Sequence, residues 1–117
     1  MSVFSKRFLS GSTNGRGIKV AATATPGTLI HTAVAGTTNM DEVWLYVYNS
    51  HTAAVMLTVE WGGVTVPDDN INVSVPAQQG LFKILPGIPI NNGLEVRAFG
   101  DVANVLVITG FVNRIEP

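Results

Sequence analysis

The sequence predicts an all-β chain: a single-domain, two-sheet β-sandwich of about eight strands behind an extended N-terminal arm. Three observations carry that expectation. Apolar residues recur with a period near two rather than 3.6. Clusters of Gly, Pro, Asn and Asp interrupt them at roughly the 8–12-residue spacing of small β domains. No stretch long enough for three helical turns is free of Gly, Pro or β-branched clusters.

The arm comes first. "MSVFSKRFLSGSTNGR", residues 1–16, combines a few apolar side chains with a Ser/Thr/Asn/Gly run and reads as a flexible basic tether, with residues 17–117 forming the sandwich. Lys6, Arg7, Arg16 and Lys19 give the first 19 residues a charge of +4. The other 98 residues hold three basic side chains against eight acidic ones, so the body is −5 and the whole chain −1. A flexible segment costs about 1–2 kcal/mol per residue to order, so it orders only where a partner offsets that cost. Phe4, Phe8 and Leu9 are the expected apolar anchors, and Lys6, Arg7, Arg16 and Lys19 the expected steering charges. The first twenty residues lack the apolar h-region of a secretory signal; their acid-poor, Ser- and Arg-containing composition overlaps that of transit peptides, the minor reading.

Behind the arm, the expected strands are Gly17–Thr23, Thr28–Ala35, Glu42–Asn49, Val55–Trp61, Ile71–Pro76, Leu81–Leu85, Leu94–Phe99 and Val105–Arg114. The turns between them have a mechanism. Pro26-Gly27, Gly62-Gly63, Pro67-Asp68-Asp69-Asn70, Pro86-Gly87 and Asn91-Asn92-Gly93 supply the fixed φ of proline or the positive φ that Gly and Asn tolerate. In Val55–Trp61, Val55, Leu57, Val59 and Trp61 share one face and Met56, Thr58 and Glu60 the other, the pattern of a half-covered strand. "EVWLYVYN" differs. Val43, Leu45 and Val47 form one apolar face and Trp44, Tyr46 and Tyr48 an aromatic second, so both sides need cover, and these three rings are the candidate oligomer interface. "NVLVITGFVNR" carries no charge from Val102 to Val112 and is expected to lie centrally or at a subunit seam.

Composition bounds the function. Charged residues are 13% of the chain, about half the share in an ordinary soluble domain, which favours a body that hides part of its exterior in an assembly. There is no cysteine, and no apolar run reaches bilayer-spanning length. No catalytic, cofactor or metal site is expected. His31 and His51 read as ordinary polar groups with no G-x-S-x-G elbow to accompany them. Asp68-Asp69 lacks calcium-loop spacing, and Gly15-Arg16-Gly17 is followed by no helix to form a phosphate cradle. Asn72-Val73-Ser74 is a short glycosylation sequon of the kind that arises by chance. Nucleic acid is disfavoured as a partner because the body is acidic. The competing reading is a lectin-like module in which Trp44, Tyr46, Tyr48 and Trp61 stack on sugar rings.

The layout as a whole, from the arm through "HTAVAGTTNMDEVWLYVYNSHTAAVMLTVEWGG" and "VPAQQG…LPGIPINNGLEVRAFG" to "VLVITGFVNRI", resembles the small decoration, or cement, proteins of tailed-bacteriophage capsids. Other small phage head and tail structural proteins look similar. The resemblance implies a β-sandwich of jelly-roll type that sits on the outer capsid surface of the virion as a homo-trimer or homo-dimer. It implies binding to the major capsid protein, stabilisation of contacts between its copies, and no enzymatic activity, cofactor or membrane.

Overall fold

The computed structural model describes residues 2–117. Among them every regular element is a strand: β1 (Val3–Phe8), β2 (Ile18–Lys19), β3 (Thr28–Thr32), β4 (Met40–Asn49), β5 (Val55–Trp61), β6 (Asn70–Val75), β7 (Phe82–Ile90), β8 (Glu95–Gly100) and β9 (Leu106–Glu116). One sheet has the order β1-β9-β4-β7, with β2 also on β9, and the other β3-β8-β5-β6. All pairings are antiparallel. β1 and β2 lie end to end along the same edge of β9, opposite Glu116–Phe111 and Ile108–Val107 respectively. Taken as one interrupted strand, they pair with the last strand, β3 with β8, β4 with β7 and β5 with β6. The chain is thus one long hairpin rolled into two sheets, which is the jelly roll.

The core lies between the sheets. Val43, Leu45 and Val47 of β4 and Leu106, Ile108 and Val112 of β9 face Leu57 and Val59 of β5 and Val96 and Ala98 of β8, all fully buried. Period two places Trp44, Tyr46 and Tyr48 on the outside of the first sheet, each half-buried.

Three sequence expectations change. The arm does not hang free: Val3–Phe8 pairs residue for residue with β9. Its side chains lack an apolar/polar alternation because an edge strand beyond the rim of the core buries neither face. The Pro86-Gly87 turn lies inside β7, which is an edge strand where a missing N–H faces away from the ladder. Register shifts opposite Val43/Trp44 and Leu45/Tyr46 absorb the irregularity, and Gly87 takes φ 85 directly under Trp44. Gly17–Thr23 shrinks to Ile18–Lys19, since the chain after Val20 crosses to the second sheet, where Thr28 Oγ1 accepts from the Ala21 and Ala22 amides at 3.2 Å each.

Candidate functional site

A buried polar node and an aromatic outer face stand apart from the apolar core.

The node forms because β3 bulges. The register runs from Leu29↔Arg97 to His31↔Val96, so Ile30 is the extra residue and both Ile30 and His31 turn inward. His31, 2% exposed, meets Asp41, 0% exposed, with Nε2 2.8 Å from Oδ2. The Ser10 amide donates to His31 Nδ1 at 3.0 Å. A nitrogen that accepts carries no proton, so Nε2 is the donor to Asp41. Arg114 closes the node, donating from Nε to Oδ1 at 2.8 Å and from Nη2 to Oδ2 at 3.1 Å, while the Val34 amide adds a bond at 3.1 Å. Burial by itself raises the Asp41 carboxyl, but the hydrogen bonds from Arg114 and His31, with the charge of Arg114, outweigh it and hold the group below the ordinary carboxylate value. The same pairing, against the opposing effect of burial, raises the Arg114 guanidinium.

Ser10, His31 and Asp41 have the composition of a hydrolytic triad without its geometry. The serine reaches the imidazole through its main-chain N–H, and its hydroxyl oxygen is occupied accepting from the Thr32 amide at 2.6 Å. The node instead joins the segment after β1 to both sheets. Gly11 completes the stitch by donating to the Ile30 carbonyl at 3.0 Å, and a Cβ there would lie 2.6 Å from the Leu29 oxygen.

The remaining chemical candidates are dispersed. The His51 amide donates to Asn49 Oδ1 at 2.9 Å within a turn. Asp69 Oδ2 accepts from the Thr65 amide at 3.0 Å. Asn72 is exposed on β6, its Oδ1 accepting from the Thr58 hydroxyl at 3.0 Å. Among the described residues, no group of three His, Cys, Asp or Glu side chains is placed to hold a metal ion.

The outer face of the first sheet gathers most of the residues singled out in the sequence. Registers align them in rows across the strands. One row runs Phe8, Phe111, Trp44, Pro86 from β1 through β9 and β4 to β7. The next runs Lys6, Asn113, Glu42, Pro89, and beyond it Phe4, Ile115 and Met40. On the other side lie Thr109, Tyr46 and Lys83, then Lys19, Val107 and Tyr48. Trp44 stacks on Phe111 with centroids 5.9 Å apart and planes 12° from parallel, and Lys6 Nζ sits 4.6 Å over the same ring. Glu42, the one acid in these rows, has its Oε1 occupied by the Trp44 indole N–H at 3.0 Å and the Asn113 amide at 3.2 Å. The arm anchors and the aromatic strand therefore form one surface, apolar at the centre, with Lys6, Lys19 and Lys83 around it. A shallow cavity of about 610 Å³ opens at Phe8, Phe111 and Lys6.

Not every candidate joins it. Leu9 is 1% exposed and belongs to the protein's own core, so its role is to fix the chain after β1. Arg7 has the opposite parity in β1, its Nε bonded to Ser5 Oγ at 3.2 Å. Arg16 lies on the exposed excursion between β1 and β2. Sequence reasoning overlooked Phe111, Asn113 and Glu42. The signal for Phe111 was present, because the buried set Leu106, Ile108, Val112 leaves it the outward parity.

Comparison of the chain with protein families, with curated proteins and with solved structures finds no match.

Proposed function

We propose that the chain is a non-enzymatic structural protein of a virion: a capsid decoration protein that binds the outer surface of a phage coat shell, self-associates as a trimer or dimer, and stabilises contacts between major capsid proteins. The observation that supports this reading is the single outer face on which Phe4, Phe8, Phe111, Trp44 and Tyr46 meet with no unengaged acid among them. Jelly rolls recur in viral capsid proteins, which is a fold-level analogy and adds only weight. Four strands about 4.8 Å apart and alternate residues about 6.8 Å apart make the face roughly 14 Å by 27 Å. That is small against the ~800 Å² per partner of a standard stable interface, so durable attachment requires several copies acting together, as an oligomer provides. The basic rim favours a partner surface edged with carboxylates.

The test is co-sedimentation with shells assembled from the major capsid protein of the same genome. Binding is expected for the wild type and loss of binding for Trp44→Ser/Tyr46→Ser; shells that leave the wild type in the supernatant refute the reading. A second reading, sugar binding, has its own observation: a flat Trp44 ring beside the Glu42 carboxylate and the Asn113 amide. Reproducible glycan-array signal lost in Trp44→Ala would favour it instead.

A further inference from the structure

We infer that β1 is an exchange strand: in the self-associated protein, Val3–Phe8 of one copy pairs with β9 of a second copy in the register it adopts within its own chain. This rests on the self-association proposed above and specifies how it is built.

Four observations carry it. First, β1 is held lightly. Val3, Phe4 and Phe8 are 52%, 70% and 63% exposed, and the contact of Lys6 with Phe111 is a surface one. A strand that buries so little opens at the low end of the local stability scale.

Second, what it leaves behind demands cover. β1 covers Phe111–Glu116 of β9, the stretch that holds the fully buried Val112, and without β1 its backbone is an open sheet edge. A bare edge of this kind recruits another strand. The strand that fits it in sequence and register is β1 itself, from either copy.

Third, the hinge is sharply placed. Leu9 is in the core, Ser10 is bonded to His31 and Thr32, and Gly11 to Ile30. The body therefore begins at Leu9, and the seven described residues before it can leave as a unit, giving up behind the hinge the packing of the Phe8 ring against Gly15. Extended, they reach roughly 23–25 Å, comparable with the 21 and 28 Å shorter dimensions of the molecule.

Fourth, exchange conserves every contact between β1 and β9. The balance between the two forms is then set by whatever surface the copies additionally bury. The aromatic outer face, which begins at Phe8 and Phe111, is contiguous with the exchanged strand.

The absence of cysteine makes the test clean. Lys6 and Asn113 lie opposite each other on the outer face. The variant K6C/N113C is oxidised at a concentration where light scattering finds the wild type associated, then run on a non-reducing gel. Expected are covalent dimers or larger species, together with a cross-linked heterodimer when separate K6C and N113C chains are mixed. A product of monomer mass with both thiols consumed overturns the inference, as does a wild type that is monomeric at every concentration. If K6C/N113C fails to fold, F4C/I115C on the neighbouring outward pair gives the same readout. The outcome is separable from the function test, because chains that exchange strands without binding a shell refute only the capsid reading.

Discussion

Asp41→Ala strikes the buried polar node at its centre. The carboxylate is completely buried and accepts four hydrogen bonds, from His31 Nε2, the Val34 amide and Arg114 Nε and Nη2. Removing it strands three donor groups, among them a guanidinium. Breaking a buried ion pair from one side costs about 3–5 kcal/mol. Arg114 is 21% exposed and partly rehydrates, which places the expected loss near the lower end, about 3 kcal/mol. At about 4 °C per kcal/mol for a domain of this size, Tm falls by roughly 12 °C. Urea denaturation read by Trp fluorescence measures the loss, and amide exchange at Ser10 and Gly11 reports whether the stitch opens with it. A loss under about 1 kcal/mol would refute the account of the node. The pH dependence has a definite sign. Asp41 is held below its ordinary value of 3.8, so its contribution is complete above the unfolded-state pKa and is lost as pH falls through the folded one. As pH falls past 3.8 and through the lower folded-state value, the wild type therefore loses stability that Asp41→Asn does not have to lose, and the two denaturation profiles converge in acid.

Further outcomes separate core residues from partner-facing ones. Leu9→Ala should cost about 2–5 kcal/mol in chemical denaturation, whereas Phe4→Ala, five residues earlier, should stay within about 0.5 kcal/mol; equal effects would contradict the placement of the hinge. Deletion of residues 1–8 should leave a cooperative thermal transition, and deletion of residues 1–11 should abolish it or lower its midpoint steeply. Gly87→Ala forces a side chain onto a backbone at φ 85 and sets its Cβ 2.8 Å from the Trp44 ring, so the Trp44 emission should shift and stability drop by about 1–3 kcal/mol. Trp44→Ala removes an aromatic stack worth about 0.5–1.5 kcal/mol beyond its buried area, a folding penalty small beside its expected effect on association.

Much of the architecture was legible in the order of residues. Val55–Trp61 occupies its expected bounds, but Thr58 and Glu60, expected on its open face, are buried, because the chain at Thr25 and Gly27 covers that face and bonds to Glu60; "EVWLYVYN" presents its valines and leucine inward and its rings outward, because a pleated strand allows no other division. What escaped were features set by position in the sheet rather than by local pattern. "VFSKRF" alternates nothing, since only a strand with one covered face needs to. "LPGIPI" reads as a turn until it is known to lie at an edge. The inward His31 depends on a one-residue slip that no periodicity announces, and without that slip the node that receives Asp41 and Arg114 has no reason to exist. The arm and the aromatic strand were each visible as candidates. Their union on one face required the register of β9 between them.

The distribution of cations has a consequence for how the molecule meets anything charged. Lys6, Arg7, Arg16 and Lys19 line one side of β9, and among the described residues none of them is paired with an acid, while Arg97 and Arg114 are neutralised by Glu95 and Asp41. The protein is electrically lopsided, a nearly neutral total concealing a positive margin on an acidic bulk. In an approaching partner's field such a body experiences a torque as well as a pull, and it turns that margin forward before contact. Because the Debye length is only about 8 Å at physiological ionic strength, this pre-alignment acts in the last few ångströms of approach and fades with added salt, which slows encounter while leaving the lifetime of the docked state largely to its aromatic rows.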